Sequence, residues 1–330
     1  MNNNNKQESE VKKVLCPNCK SEKIKKRGLR QTQNRGKIQR YFCNDCRKSF
    51  VIDNGFFRMR NEPKKITLSI DLFYRGVSTR KVQEHLSAFY PHNCDHRTIL
   101  RWIVKYAKMI HSFTNKLKIN CGEELQIDEM DYKTKGKQSW FIDSIDTKTR
   151  YMISSEYFKT REQKYLIKIL ENAKNKTQNQ IKIVTSDGYT AYEKAIRKSF
   201  GLKKKNKYFG VIHNKVTQLK NEGFNHKIER LHNNIRQRTK TFRGFKNLDS
   251  ANCIMKGFEI YYNFIMKHQA INCCPYELAT DLKLKKNNKW LELIQKRALS
   301  GVTPIPKTKI KKDKLSLTSF PSKTMFLRML

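Results

Sequence analysis

Apolar residues recur along this chain with two different periods, and the switches between them divide it. Over 66–74 the spacing is that of an amphipathic helix, closed by Gly76. Ser78 then caps a second helix over 79–86, with Val82 and Leu86 on one face. After the Tyr90-Pro91-His92 turn, Asp95 caps a third, whose inner side carries Ile99, Trp102, Ile103 and Tyr106. From Leu125 the period shortens to two. Strands are predicted over 125–133, 139–146 and 151–158, joined by Lys135-Gly136-Lys137 and by Asp146-Thr147-Lys148-Thr149, both good turn formers. A helix over 161–173 follows, then a buried-type strand over 181–186 ending at Asp187-Gly188, a helix over 191–199, a strand over 208–213 and a basic helix from near Asn225.

Three antiparallel strands followed by alternating helix and strand predict an α/β domain of the RNase H-like kind with a mixed sheet. Boundaries follow from composition. The expected order is a disordered 1–13, a cysteine-paired 14–53, a helical 62–115, the α/β domain over 121–268, a helical extension over 269–302 and a basic tail over 303–330. Two capped helices across a turn fit a helix-turn-helix with the third helix as reader, placing Arg97 and Arg101 toward the major groove; an ordinary three-helix scaffold is the alternative.

Charge changes the picture. The chain holds 70 Lys+Arg against 29 Asp+Glu, a formal net charge of +41, spread along its length. That distribution fits a long nucleic-acid track and double-stranded DNA as partner. No apolar run is long enough to span a bilayer, and the N-terminus lacks the apolar stretch of a signal peptide, so the expected place is the cytoplasm, at the nucleoid, with no membrane partner.

Cys16-Pro17-Asn18-Cys19 and Cys43-Asn44-Asp45-Cys46 are two C-x-x-C knuckles flanking a hairpin that turns at Asn34-Arg35-Gly36. Four thiolates from two tight turns suit a structural, tetrahedral Zn²⁺, with redox dithiols as the alternative. Cys94, Cys121, Cys253, Cys273 and Cys274 share no such spacing and read as buried thiols.

Against so basic a background, gathered carboxylates need a reason, and divalent ions acting on a phosphodiester supply one. Asp128 lies midway along the first strand on the face opposite Leu125 and Ile127; Asp187 ends the fourth strand; Glu229 enters from the basic helix. Together they are candidate catalytic acids and ligands for Mg²⁺ or Mn²⁺, the hard cations that prefer oxygen. Glu129, Asp131, Asp143 and Asp146 compete with Asp128, but Asp128 shares a face with Gln126 and Met130 while Glu129 points with the apolar set. Asp187, just ahead of a helix, also fits a capping role. Asn225, Glu229, His232 and Arg236 recur at helical spacing, so Asn225, His232 and Arg236 flank the acid as phosphate-gripping candidates.

At these residues the chain resembles the DDE transposases of prokaryotic insertion sequences, of the compact group-six, two-forty-like type. The resemblance rests on Ile127-Asp128-Glu129, Thr185-Ser186-Asp187-Gly188, and Asn225-x-x-x-Glu229-Arg230-x-His232-x-x-Ile235-Arg236-x-Arg238 followed by Phe242-Arg243-Gly244-Phe245. It covers about 120–270, and Gln39-Arg40-Tyr41-x-Cys43 is similar to the zinc ribbons of several such enzymes. It implies a metal-dependent site of Asp128, Asp187 and Glu229, with Arg236 touching the transposon end; Arg230 and Arg238 of the same helix are further candidate DNA contacts, and joining two ends calls for an assembly of at least two copies. The stretch between Asp187 and Glu229 is longer than in the compact family, so an extended loop is expected over the lysine-rich 203–223. A non-catalytic DNA-binding regulator and a purely hydrolytic RNase H-like nuclease are the alternatives.

Overall fold

The computed structural model describes residues 14–33, 36–90, 94–201, 210–216, 225–240 and 244–300. Both predicted tails and much of the expected extended loop therefore lie outside the described residues. The described chain falls into two compact units, one of 14–30 with 39–52 and one of 31–38 with the rest from 53 to 300.

Strands β1 (Ile24–Thr32), β2 (Gly36–Cys43) and β3 (Ser49–Val51) form a sheet in that order. The hairpin was legible in the sequence; β3 was not, because three residues are too few to show a period. It is held antiparallel to β2, with Tyr41 opposite Phe50 and their rings stacked at 5.7 Å.

The second unit begins with α1 (Pro63–Tyr74), α2 (Thr79–Phe89) and α3 (His96–Thr114). Ser78 caps α2 as expected, its side chain accepting from the Lys81 N–H. Asp95 stands at the start of α3 without capping it. Its carboxylate turns to His96 Nδ1 at 2.8 Å, and the His96 N–H donates to Gln83 Oε1 of α2. Ile99, Trp102, Ile103 and Tyr106 are buried, so the predicted inner face of α3 is the inner face.

Next come β4 (Glu124–Thr134), β5 (Lys137–Asp146), β6 (Met152–Phe158), α4 (Gln163–Lys176), β7 (Ile183–Ser186), α5 (Thr190–Phe200) and β8 (Ile212–Lys215). The sheet order is β6-β5-β4-β7-β8, antiparallel across β4, β5 and β6 and parallel across β4, β7 and β8. This is the RNase H-like arrangement. The last strand begins at Ile212 and ends at Lys215, two residues beyond the predicted end, and the predicted positions 208 and 209 lie outside the described residues. Asp146, one of the competing acids, fixes the β5–β6 turn: Oδ2 accepts from Thr149 N and Oγ1 at 2.7 and 2.6 Å, and Oδ1 accepts from Gly122 N at 2.9 Å.

Beyond the sheet follow α6 (His226–Thr239), α7 (Leu248–Ile260) with a π-helical turn over Tyr261–Ile265, α8 (Pro275–Ala279) and α9 (Lys289–Ser300). Strand β6 is a sheet edge, and a bare edge leaves backbone groups unpaired. Two amides fill that role here. The Asn252 side chain accepts from Tyr157 N at 2.7 Å and donates to its carbonyl at 3.1 Å, and Asn263 does the same for Met152 at 2.8 and 2.9 Å. Helix α7 also meets α1 closely: a Cβ at Gly257 would stand 1.7 Å from the Tyr74 hydroxyl, so only glycine leaves room for that ring. The predicted C-terminal extension returns to α1. Trp290 of α9 stacks on Tyr74 at 5.5 Å and donates from Nε1 to Asp71 at 3.1 Å. Helices α1, α3, α7 and α9 thereby share one apolar core with the sheet.

Candidate active site

Strands β4 and β7 run parallel with Gln126 beside Thr185, so Asp128 and Asp187, each two residues further on, arrive at the same level of neighbouring strands. Carboxylate oxygens of Asp128, Glu129 and Asp187 lie within 4.8 Å of one another. Gln126 and Asp128 face α6, where Gln126 Oε1 accepts the Ile228 N–H at 3.2 Å. Asp128 Oδ1 accepts from Glu129 N at 2.8 Å, and Oδ2 stands 3.5 Å from His232 Nδ1. Burial lifts the Asp128 carboxyl to about 7, against the pull of His232. Asp187 Oδ1 accepts the Tyr189 N–H at 2.9 Å, a local turn that uses one of its two oxygens, while the residue at the cap of α5 is Tyr189 and not Asp187.

Glu129 points to the other side of the sheet, as its period predicts, yet its carboxylate still joins the group. Both its oxygens are committed: Oε1 to Arg161 Nη1 at 2.8 Å and Oε2 to the Tyr192 hydroxyl. A carboxylate so engaged serves as an anchor better than as an open ligand. Glu229 is exposed on α6, and its carboxylate is not within the group. The helical stripe of Asn225, Glu229, His232 and Arg236 runs along the border between the buried and solvent sides of α6, so Asn225 and His232 fall inside while Glu229 and Arg236 fall outside.

The register places Asp143 of β5 directly opposite Asp128. Two like charges at such a pair repel. His232 lies between them, its Nε2 2.7 Å from Asp143 Oδ1 and its Nδ1 facing Asp128, and both His232 and Asp143 are buried. Burial alone pushes this imidazole down; Asp143 and Asp128 overcome that and hold it above its usual range. Burial raises Asp143 despite His232. The sequence treated Asp143 as a competitor of Asp128, although the turn at Lys135-Gly136 sets the register that pairs them, and that turn is the signal that could have found it.

Of the expected DNA contacts, Arg97, Arg101, Arg230 and Arg236 are exposed. Arg238 is buried, with its guanidinium 4.0 Å from the centre of the Phe73 ring, and burial lowers it to about 10.

In the first unit, sulfurs of Cys16, Cys19, Cys43 and Cys46 lie within 4.8 Å of one another, with Cys16–Cys46 and Cys19–Cys43 each at 3.5 Å. Thiolates bound to zinc at about 2.3 Å stand about 3.8 Å apart in a tetrahedron, so the cluster fits a zinc ribbon with little movement. The Cys19 N–H draws the Cys16 thiol down to about 6, while against the pull of the Ser21 backbone, burial and the neighbouring sulfurs push Cys19 up to about 12, as thiols crowded together without a cation must share their protons. Of the other cysteines, Cys94, Cys253 and Cys274 are buried as expected, whereas Cys121 and Cys273 are half-buried.

Among the described residues, no helix is long and apolar enough to cross a membrane. No curated protein matches the chain. Among solved structures, the trimeric HTLV-2 integrase catalytic core domain in complex with magnesium is similar over 49% of this chain and 98% of its own, at 13% identity and a TM-score of 0.33. The simian T-cell lymphotropic virus intasome in complex with PP2A regulatory subunit B56 gamma is similar over 68% of this chain and 75% of its own, at 12% identity and a TM-score of 0.36. A family model for the DDE domain of IS240-type transposases matches residues 122–269, the stretch that holds the sheet and helices α4 to α7. Residues 122–269 are a DDE domain of the IS240-like transposase family.

Proposed function

We propose that this chain is a transposase that binds the ends of its element, cuts the DNA and joins the freed 3′-hydroxyl to a target. The observation that carries the reading is the meeting of Asp128 and Asp187 at one level of adjacent strands, inside a DDE domain, on a chain of net charge +41. Asp128, Asp187 and Glu229 are the proposed catalytic acids. The oxygens that would meet a hard divalent cation are Asp187 Oδ2 and Asp128 Oδ2, the latter facing His232 Nδ1 at 3.5 Å, and Glu229 follows from α6, three residues before His232. Mg²⁺ or Mn²⁺ held there would activate an attacking hydroxyl and neutralise the leaving oxygen. His232 fixes the orientation of Asp128, in the way that partners behind a metal ligand hold it for its ion.

The exposed arginines supply the grip on DNA. Arg97 and Arg101 of α3 are the proposed groove contacts, and Arg230 and Arg236 the proposed phosphate contacts at the element end. Asn225, His232 and Arg238 are interior, and their part in DNA binding is to set the position of α6. The four cysteines hold Zn²⁺ and stiffen a basic hairpin whose Lys25, Lys26, Arg27 and Arg30 are exposed. Joining two ends calls for a homo-oligomer on double-stranded DNA, acting at the nucleoid in the cytoplasm.

The test is a strand-transfer assay with labelled duplexes from the DNA flanking the gene, comparing wild type with Glu229→Gln in Mg²⁺, Mn²⁺ or EDTA. Metal-dependent joined products that vanish in the variant support the reading. Hydrolysis without joining points to a nuclease. Binding without cleavage, equal in both proteins, leaves a DNA-binding regulator.

A further inference from the structure

Arg161 stands just ahead of α4, and its side chain is gripped from several directions. Nη1 donates to Glu129 Oε1 at 2.8 Å, and the guanidinium carbon lies 4.5 Å from the ring centres of both Trp140 and Tyr189. Each of these partners is itself fixed by the fold. Trp140 sits on β5 opposite Asp131, Tyr189 follows Asp187 by two residues, and the second oxygen of Glu129 takes the Tyr192 hydroxyl. An arginine ordinarily loses considerable rotamer freedom when it binds something. Here that ordering is already present in the folded chain.

Neutralising Glu129, whose side chain is 3% exposed, accounts for one nitrogen of the guanidinium. It does not account for the rest. The Arg161 side chain is still 42% exposed, and its Nη2 and Nε make no hydrogen bond to any described residue. A guanidinium carries five N–H donors in a fixed planar fork, a shape that matches a phosphate's oxygens. Its position is also telling. Glu129 joins the Asp128 and Asp187 oxygens within 4.8 Å, so Arg161 is tied through Glu129 to the acid group, and Asp187 acts on its charge. A guanidinium beside a carboxylate group meant for divalent ions is in the right place to take the oxygens of the phosphate backbone that those ions meet.

We infer that Arg161 is a phosphodiester-binding residue of this site, with Trp140, Tyr189 and Glu129 holding its fork in the binding geometry. The inference rests on the strand-transfer reading for which DNA lies on the acids, and it adds a substrate contact that the sequence motifs do not contain. Glu129 is then the anchor of a binding residue.

The test replaces one backbone phosphate at a time by a neutral methylphosphonate in duplexes from the DNA flanking the gene. Affinity for each duplex is measured by fluorescence anisotropy, with Mn²⁺ and with EDTA, for wild type and Arg161→Lys. Lysine keeps the charge beside Glu129, so the fold is retained, and melting curves verify this. Trp140→Ala serves as a second variant that leaves the arginine in place but frees its fork. At one phosphate near the cut, neutralisation should weaken wild-type binding about tenfold or more, the worth of a charge-assisted pair. Arg161→Lys should bind the native duplex more weakly by a similar factor and lose little further when that phosphate is neutralised, with Trp140→Ala between the two. If the penalties of variant and methylphosphonate multiply at every position, the inference is overturned. Nicking of the same duplexes by wild type reports separately on the strand-transfer reading: nicking without coupling removes Arg161 alone, and coupling without nicking removes the catalytic reading alone.

Discussion

Replacing His232 by alanine tests a buried charged pair of the domain. The imidazole is the hydrogen-bond partner of Asp143, at 2.7 Å, and separates that carboxylate from Asp128 directly across the strand pair. Asp143 is 0% exposed, so water cannot replace what the substitution removes. Breaking a buried pair by deleting one member costs about 3–5 kcal/mol, because the remaining charge is stranded. At about 2–4 °C per kcal/mol for a unit of this size, the melting temperature should fall by roughly 6–20 °C. Asp143→Asn in the same background removes the stranded charge, so the double variant should be clearly less destabilised than the sum of the single ones. The direction with pH is also fixed. Without His232 the buried Asp143 keeps its proton while the unfolded carboxyl gives its own up, so the His232→Ala loss should grow as pH rises from 5 to the imidazole's ordinary 6.5 and level off above it, where wild type begins to lose the contribution of its raised His232. Urea unfolding of the four proteins at both pH values measures all of this. A His232→Ala loss under about 1 kcal/mol, or additivity within about 0.5 kcal/mol, would refute the reasoning.

Further outcomes follow from other parts of the structure. Since burial holds the Asp128 carboxyl at about 7, a divalent ion must displace a proton there; Mn²⁺ affinity, followed by electron paramagnetic resonance, should fall about tenfold per unit below pH 7 and level off above it. Burial pushes Glu259 up, but Lys256 and Lys176 outweigh it and hold the group at about 2, below its ordinary 4.5. Its contribution is thus complete above pH 4.5 and is lost as pH falls toward 2, and Glu259→Gln should flatten acid unfolding in that window. Gly257→Ala should destabilise by about 1–3 kcal/mol in thermal unfolding, because the added methyl meets the Tyr74 ring; a neutral result would mean that α1 and α7 are not so close. Cys43→Ser should abolish stoichiometric zinc by atomic emission while leaving the second unit's melting unchanged.

Much of this protein was written in local pattern. Capped helices, the meander with its two turns, and the matched knuckles need only neighbouring residues, so the elements and their order could be read without coordinates. Asp128 and Asp187 were legible for the same reason: a strand's period and a strand's end are local facts. What local pattern could not carry is which polar residue meets which. The pairing of Asn252 and Asn263 with edge strand β6 and the return of α9 to α1 depend on residues far apart in the chain. The acids show the difference most sharply. Alternation predicted that Asp128 and Glu129 face opposite ways, and they do. Only the packing of α5 and the chain before α4 decided that Glu129 would be tied to Tyr192 and Arg161, and only strand register put Asp143 behind His232. Sequence determines the periods and the turns, since those are set by backbone geometry within a few residues. Tertiary structure decides the partners, since burying a charge is tolerable only where another element brings its complement.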